Sequence, residues 1–116
     1  MKLLISGSRN IDEFDLSLYV PSETSVIITG GAIGIDALAE KYAKEHNIDT
    51  IIIKPQYNLY GRYAPLKRNE EMVNLADKVL IIWDGSSRGT KYTADFARKL
   101  NKLQKVIIKN ELVDHF

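Results

Sequence analysis

The sequence contains no cysteine, which excludes disulfides, thiolate zinc sites and cysteine nucleophiles together. Such a composition suits a reducing compartment. His46 and His115 are the only histidines, too few for a histidine-rich metal centre, although a Mg²⁺ ion held by carboxylates stays open. Neither fits a Ser-His-Asp set, because His46 closes a helical stretch and His115 stands in the tail. The nucleophile elbow G-x-S-x-G is absent as well. Long apolar runs are missing. The longest, Val79-Leu80-Ile81-Ile82-Trp83, is far too short to cross a membrane. The first residues, Met1 to Gly7, stop being apolar too soon for a signal peptide and read as a first strand. A cytoplasmic protein without a membrane partner is expected. An excess of positive charge is also lacking: the net charge is +1, which argues against nucleic acid as a partner.

What is present suits one globular domain covering residues 1–116, with 45% apolar and 27% charged residues. Five short runs rich in β-branched residues, at 2–6, 26–29, 50–53, 79–83 and 106–109, are apolar nearly throughout. Strands covered on both faces read this way, as in parallel sheets. Helical spacing runs through 12–20, closed by Pro21, and through 35–46, where Ile35, Leu38, Ala39, Tyr42, Ala43 and His46 share a face. It returns at 65–75, opened by Pro65, and at 90–103, with Thr93, Phe96, Ala97 and Leu100 facing inward. Alternating strands and helices predict an α/β fold: a five-stranded parallel sheet with helices on both faces. In such sheets ligands bind beyond the carboxyl ends of the strands.

The segments at those ends are rich in groups that hold anions. Gly7-Ser8-Arg9 follows the first strand and offers close backbone approach, a hydroxyl and a guanidinium. Thr29-Gly30-Gly31-Ala32-Ile33-Gly34-Ile35-Asp36 is a glycine-rich entry to a helix, where free N–H groups attract phosphate. It matches neither G-x-G-x-x-G nor the P-loop. Three readings stay open for Asp36: a carboxylate favoured by the helix dipole, an acceptor for a ribose hydroxyl, or an acid/base. Tyr57, Tyr60 and Tyr63 crowd around Arg62 ahead of Arg68-Asn69, a composition suited to base stacking and phosphate pairing. After the fourth strand, Ser87-Arg88-Gly89-Thr90 forms a second glycine- and hydroxyl-rich entry to a helix.

Of five arginines, Arg9, Arg62, Arg68 and Arg88 all fall on these segments, and only Arg98 lies elsewhere. Arginine suits bidentate phosphate contact, so this segregation points to a phosphate site.

These residues, in this order, also carry a family resemblance. Gly7-Ser8-Arg9, Gly30-Gly31-Ala32-Ile33-Gly34-Ile35-Asp36-Ala37-Leu38-Ala39, Tyr60-Gly61-Arg62, Arg68-Asn69-Glu70-Glu71-Met72 and Ser87-Arg88-Gly89-Thr90 together resemble the YspA-like branch of the SLOG superfamily. That superfamily includes the LOG-type nucleotide hydrolases and the Rossmann-like domain of DprA. The resemblance implies a Rossmann-like three-layer sandwich and a nucleotide-derived ligand, sensed or processed at the carboxyl edge. The arginine placement and the paired glycine loops predict ligand contacts from Gly7, Ser8, Arg9, Gly30, Gly31, Gly34, Asp36, Arg62, Arg68, Asn69, Ser87, Arg88, Gly89 and Thr90. The resemblance also implies a homodimer. In the LOG signature P-G-G-x-G-T-x-x-E, Gly89 and Thr90 match, but the glutamate position holds Thr93. Nucleotide hydrolysis, with Asp36 as the acid/base, is therefore an alternative to binding alone. A single-stranded nucleic-acid binder using the three tyrosines is a further alternative.

Overall fold

The computed structural model describes residues 1–109; the tail, including His115, lies outside them. Five strands, β1 (Lys2–Gly7), β2 (Val26–Thr29), β3 (Asp49–Ile52), β4 (Lys78–Trp83) and β5 (Leu103–Ile108), form one sheet in the order β3-β2-β1-β4-β5. Every pairing is parallel. The Rossmann-like α/β expectation therefore holds.

Burial on both faces explains the apolar runs. Leu3, Ile5, Ile27, Leu80 and Ile82 face α1 (Ile35–Glu45), packing on Ile35, Ala39 and Ala43. Leu4, Ile28, Val79 and Ile81 face the opposite way. They pack on Met72 and Val73 of α3 (Ala64–Leu75) and on Ala94 and Ala97 of α4 (Arg88–Lys99). Each fully buried Leu or Ile contributes roughly 1.5–3 kcal/mol, so the central strands dominate the core.

The structure departs from the predicted elements at a few places, each for a local reason. The helix expected over 12–20 shrinks to a 3₁₀ turn at Leu16–Leu18. The Asp15 carboxylate accepts the Ser17 N–H at 3.0 Å and the Ser17 hydroxyl at 2.5 Å, and such local bonds compete with helix formation. The last helix ends at Lys99 rather than 103, because Asn101 adopts φ 58°, the left-handed conformation that stops helices. That frees residues 103–105 to begin β5. As an edge strand, β5 tolerates exposed Gln104 and Lys105, which is why an apolar run marked only its second half. Finally, a short helix α2 (Tyr57–Tyr60) and a 3₁₀ turn at Gly61–Tyr63 occupy a stretch without helical periodicity. Neither buries a residue.

From β1 the chain moves outward to β2 and β3, then returns to place β4 on the other side of β1. The direction of winding thus reverses between β1 and β4. A crevice opens beyond their carboxyl ends, where this fold receives ligands.

Candidate functional site

A hollow of about 230 Å³ occupies that crevice. Ser6, Gly7 and Arg9 line it from the end of β1, and Ala32 and Asp36 from the entry to α1. Pro65, Arg68, Asn69 and Met72 contribute from α3, and Ser87, Gly89 and Thr90 from the start of α4.

The α4 end supplies backbone donors. Ser87 is the N-cap, but its side chain makes no capping bond. The first N–H groups of any α-helix lack intrahelical partners, so those of Arg88, Gly89 and Thr90 remain available. A side chain at Gly89 would meet nothing within 4 Å, so a ligand can approach this backbone. The preceding loop is held by its own atoms. Asp84 Oδ1 accepts the N–H groups of Ser86 at 2.9 Å and Ser87 at 2.8 Å. Burial raises the Asp84 pKa, but these bonds and the Ser8 and Asn10 side chains outweigh it and hold the carboxyl below its ordinary range. Trp83 Nε1 donates to the Ser87 carbonyl at 2.9 Å.

Opposite stand two guanidinium groups in different settings. Arg68 is anchored: Nε donates to Asn69 Oδ1 at 2.8 Å, and Nη1 to the carbonyls of Gly30 at 3.0 Å and Ile53 at 3.3 Å. Burial lowers its pKa, the Asp36 carboxylate raises it, and Arg9 lowers it again. An arginine stays charged throughout. Arg9 is exposed and enters none of the three ion pairs found among the described residues.

Asp36 is the one carboxylate in the lining and is 7% exposed. Its Oδ2 accepts the Ala32 N–H at 3.2 Å. Burial pushes its pKa up; the Ala32 bond and Arg68 oppose the shift, and Glu40 adds to it. No ion pair joins Asp36 to Arg68 or Arg9 among the described residues. No group of three or more His, Cys, Asp or Glu side chains gathers as a metal site among the same residues.

Of the residues read from the sequence, Gly7, Arg9, Asp36, Arg68, Asn69, Ser87, Gly89 and Thr90 meet at the hollow. Ser8, Gly30, Gly31, Gly34, Arg62 and Arg88 stand outside its lining. The glycines of the β2–α1 turn serve chiefly to pack protein on protein. A Cβ at Gly30 would lie 2.5 Å from Arg68 Nη1 and 2.9 Å from Asp36 Oδ2. One at Gly34 (φ 77°) would lie 2.5 Å from the Ser8 and Arg9 carbonyl oxygens. Ser8 is 1% exposed, and its Oγ accepts the Asp84 N–H at 2.9 Å, tying the β1 and β4 loops together. Arg62 leans over the Tyr63 ring at 5.1 Å and donates to its hydroxyl at 3.0 Å. Arg88 is exposed at the first position of α4, beside the hollow. Thr93, at the LOG glutamate position, is 1% exposed and donates to the Gly89 carbonyl at 3.0 Å. Ser6, Ala32, Pro65 and Met72 complete the lining; the sequence marks none of them as a contact, because small and apolar residues look alike in core and site.

No protein-family model and no curated protein matches the chain. Among solved structures, DNA processing protein A (DprA) from Helicobacter pylori, described for its single-stranded DNA binding mode, has the same fold. The TM-score is 0.63 at 22% identity, over 99% of this chain and 72% of that one. The Rossmann-like relationship to DprA is thus carried by the fold. This neighbour also corrects the expectation that set nucleic acid aside, since a protein of this fold binds single-stranded DNA. A balanced total charge still permits a local field, and here Arg9 and Arg68 share one hollow. No described helix is long and apolar enough to cross a membrane.

Proposed function

We propose that this chain binds single-stranded nucleic acid and seats a backbone phosphate in the hollow. One observation carries the reading: the uncapped N-terminus of α4 opens on the same hollow as Arg9 and Arg68. Backbone N–H groups at a helix start and guanidinium forks are complementary to phosphate oxygens. The fold shared with a single-stranded DNA-binding protein supports it. The ordered motifs support a place in the YspA-like branch of the SLOG superfamily.

Anisotropy of a fluorescent 12-mer thymidine strand, titrated with the full chain, tests the proposal. Saturable binding that weakens with salt supports it; no retention at low salt refutes it.

A second reading is a nucleotide-derived small ligand, sensed or processed. Asp36 favours it, because a buried acceptor beside two guanidinium groups suits a sugar hydroxyl next to a phosphate. Calorimetry against nucleoside monophosphates and ADP-ribose separates it from strand binding.

A further inference from the structure

The stretch between β3 and α3 is at odds with ordinary surface composition. Tyr57 is 59% exposed, Leu59 66%, Tyr60 39% and Tyr63 54%. These four large side chains fall within seven residues, on α2 and the turn after it. None belongs to either core cluster. Tyrosine exposed in this density marks a contact surface, since its ring is apolar and its conformational entropy low.

Charge narrows the choice of partner. From Thr50 to Asn69 the chain carries Lys54, Arg62, Lys67 and Arg68 and no acidic residue. A second copy of the same face would bring like charges together, whereas a polyanion is attracted. The face also leads into the hollow along the chain. Tyr63 is followed directly by Ala64 and Pro65, and Pro65 lines the hollow. Arg62, stacked on Tyr63, holds that ring beside a positive charge.

We propose that Tyr57, Tyr60 and Tyr63 form a stacking shelf for the bases of a single strand whose phosphate lies in the hollow. This rests on the strand-binding reading and adds a separate subsite to it. Bases have faces that stack on tyrosine whatever their identity, so the shelf adds affinity with little sequence preference.

The test compares two strands of equal length and charge: a fluorescent 12-mer thymidine strand and a 12-mer abasic deoxyribose-phosphate strand. Full-length wild type is titrated with each, alongside Tyr57→Ala, Tyr60→Ala, Tyr63→Ala and the three matching phenylalanine variants. Circular dichroism verifies folding. Wild type should prefer the thymidine strand by at least about tenfold. Each alanine variant should lose part of that preference, about fivefold or more, while binding the abasic strand as wild type does, and the phenylalanine variants should retain it. Alanine variants that keep the full preference overturn the shelf, and so does an equal loss on both strands. In either case strand binding by wild type leaves the phosphate reading standing. If wild type binds neither strand, both readings fall.

Discussion

Arg68 Nη1 donates to the carbonyl of Gly30 at 3.0 Å, in the space that a side chain at residue 30 would need. An arginine from α3 is thereby pinned across the carboxyl end of β2. The glycine serves the guanidinium, and the guanidinium serves the hollow. Substituting Gly30→Ala forces one of them to move. The expected loss is about 1–3 kcal/mol in stability, the usual range for overpacking, read as a lower urea midpoint. Unchanged stability would mean that Arg68 yields freely.

Arg68 and Arg9 should separate in their effects. Arg68→Ala removes three hydrogen bonds and leaves the carbonyls of Gly30 and Ile53 without that donor. It should lower thermal stability as well as binding. Arg9→Ala removes an exposed side chain with no ion pair and should leave the melting temperature within a degree or two, by the small effect of ordinary surface substitutions. Differential scanning fluorimetry of both variants is the check; equal shifts contradict the assignment.

Asp36 should make stability depend on pH with a definite sign. Its folded pKa lies above the ordinary 3.8, chiefly through burial. Between those two values the folded state holds more protons than the unfolded one, so this residue's contribution falls as pH rises through that interval. Asp36→Asn keeps an acceptor for Ala32 and removes the buried charge. Its stability gain over wild type should grow with pH and then level off, as measured by urea titrations at several pH values. A gain that shrinks with rising pH contradicts this sign.

The same variant distinguishes the two functional readings. A carboxylate in a phosphate hollow repels the strand, so Asp36→Asn should bind a thymidine oligonucleotide more tightly. If Asp36 instead receives a sugar hydroxyl, the variant should bind nucleoside monophosphates more weakly.

Ser8 holds the crevice together from below. Ser8→Ala, at a buried residue, leaves the part-buried Asp84 N–H without its partner. A loss of about 1–3 kcal/mol is expected for such an orphaned donor. A loss under about 0.5 kcal/mol, the level of ordinary surface changes, would assign the bond no structural weight.

Much of this fold is legible in the sequence. Both faces of the central strands are buried, so Leu3, Leu4 and Ile5 are apolar in succession, the pattern of a sheet covered on both sides. Arg9, Arg68 and Gly89 could be placed at one edge because topology fixes where strands end. The use of Gly30 could not be read. A glycine admits any close approach, and nothing in the sequence distinguishes a phosphate from the Arg68 guanidinium. Helix α2 buries no side chain, so it left no apolar period to detect. The turn at Leu16–Leu18 depends on the Asp15 side chain, which a hydrophobic pattern ignores.

Salt-dependent anisotropy of a labelled 12-mer thymidine strand with wild type and Arg9→Ala probes the hollow itself. Wild-type affinity should fall linearly on a log–log plot against salt, and Arg9→Ala should bind more weakly with a slope smaller by about 1. Equal affinity and equal slope for the two proteins would contradict a phosphate seated beside Arg9.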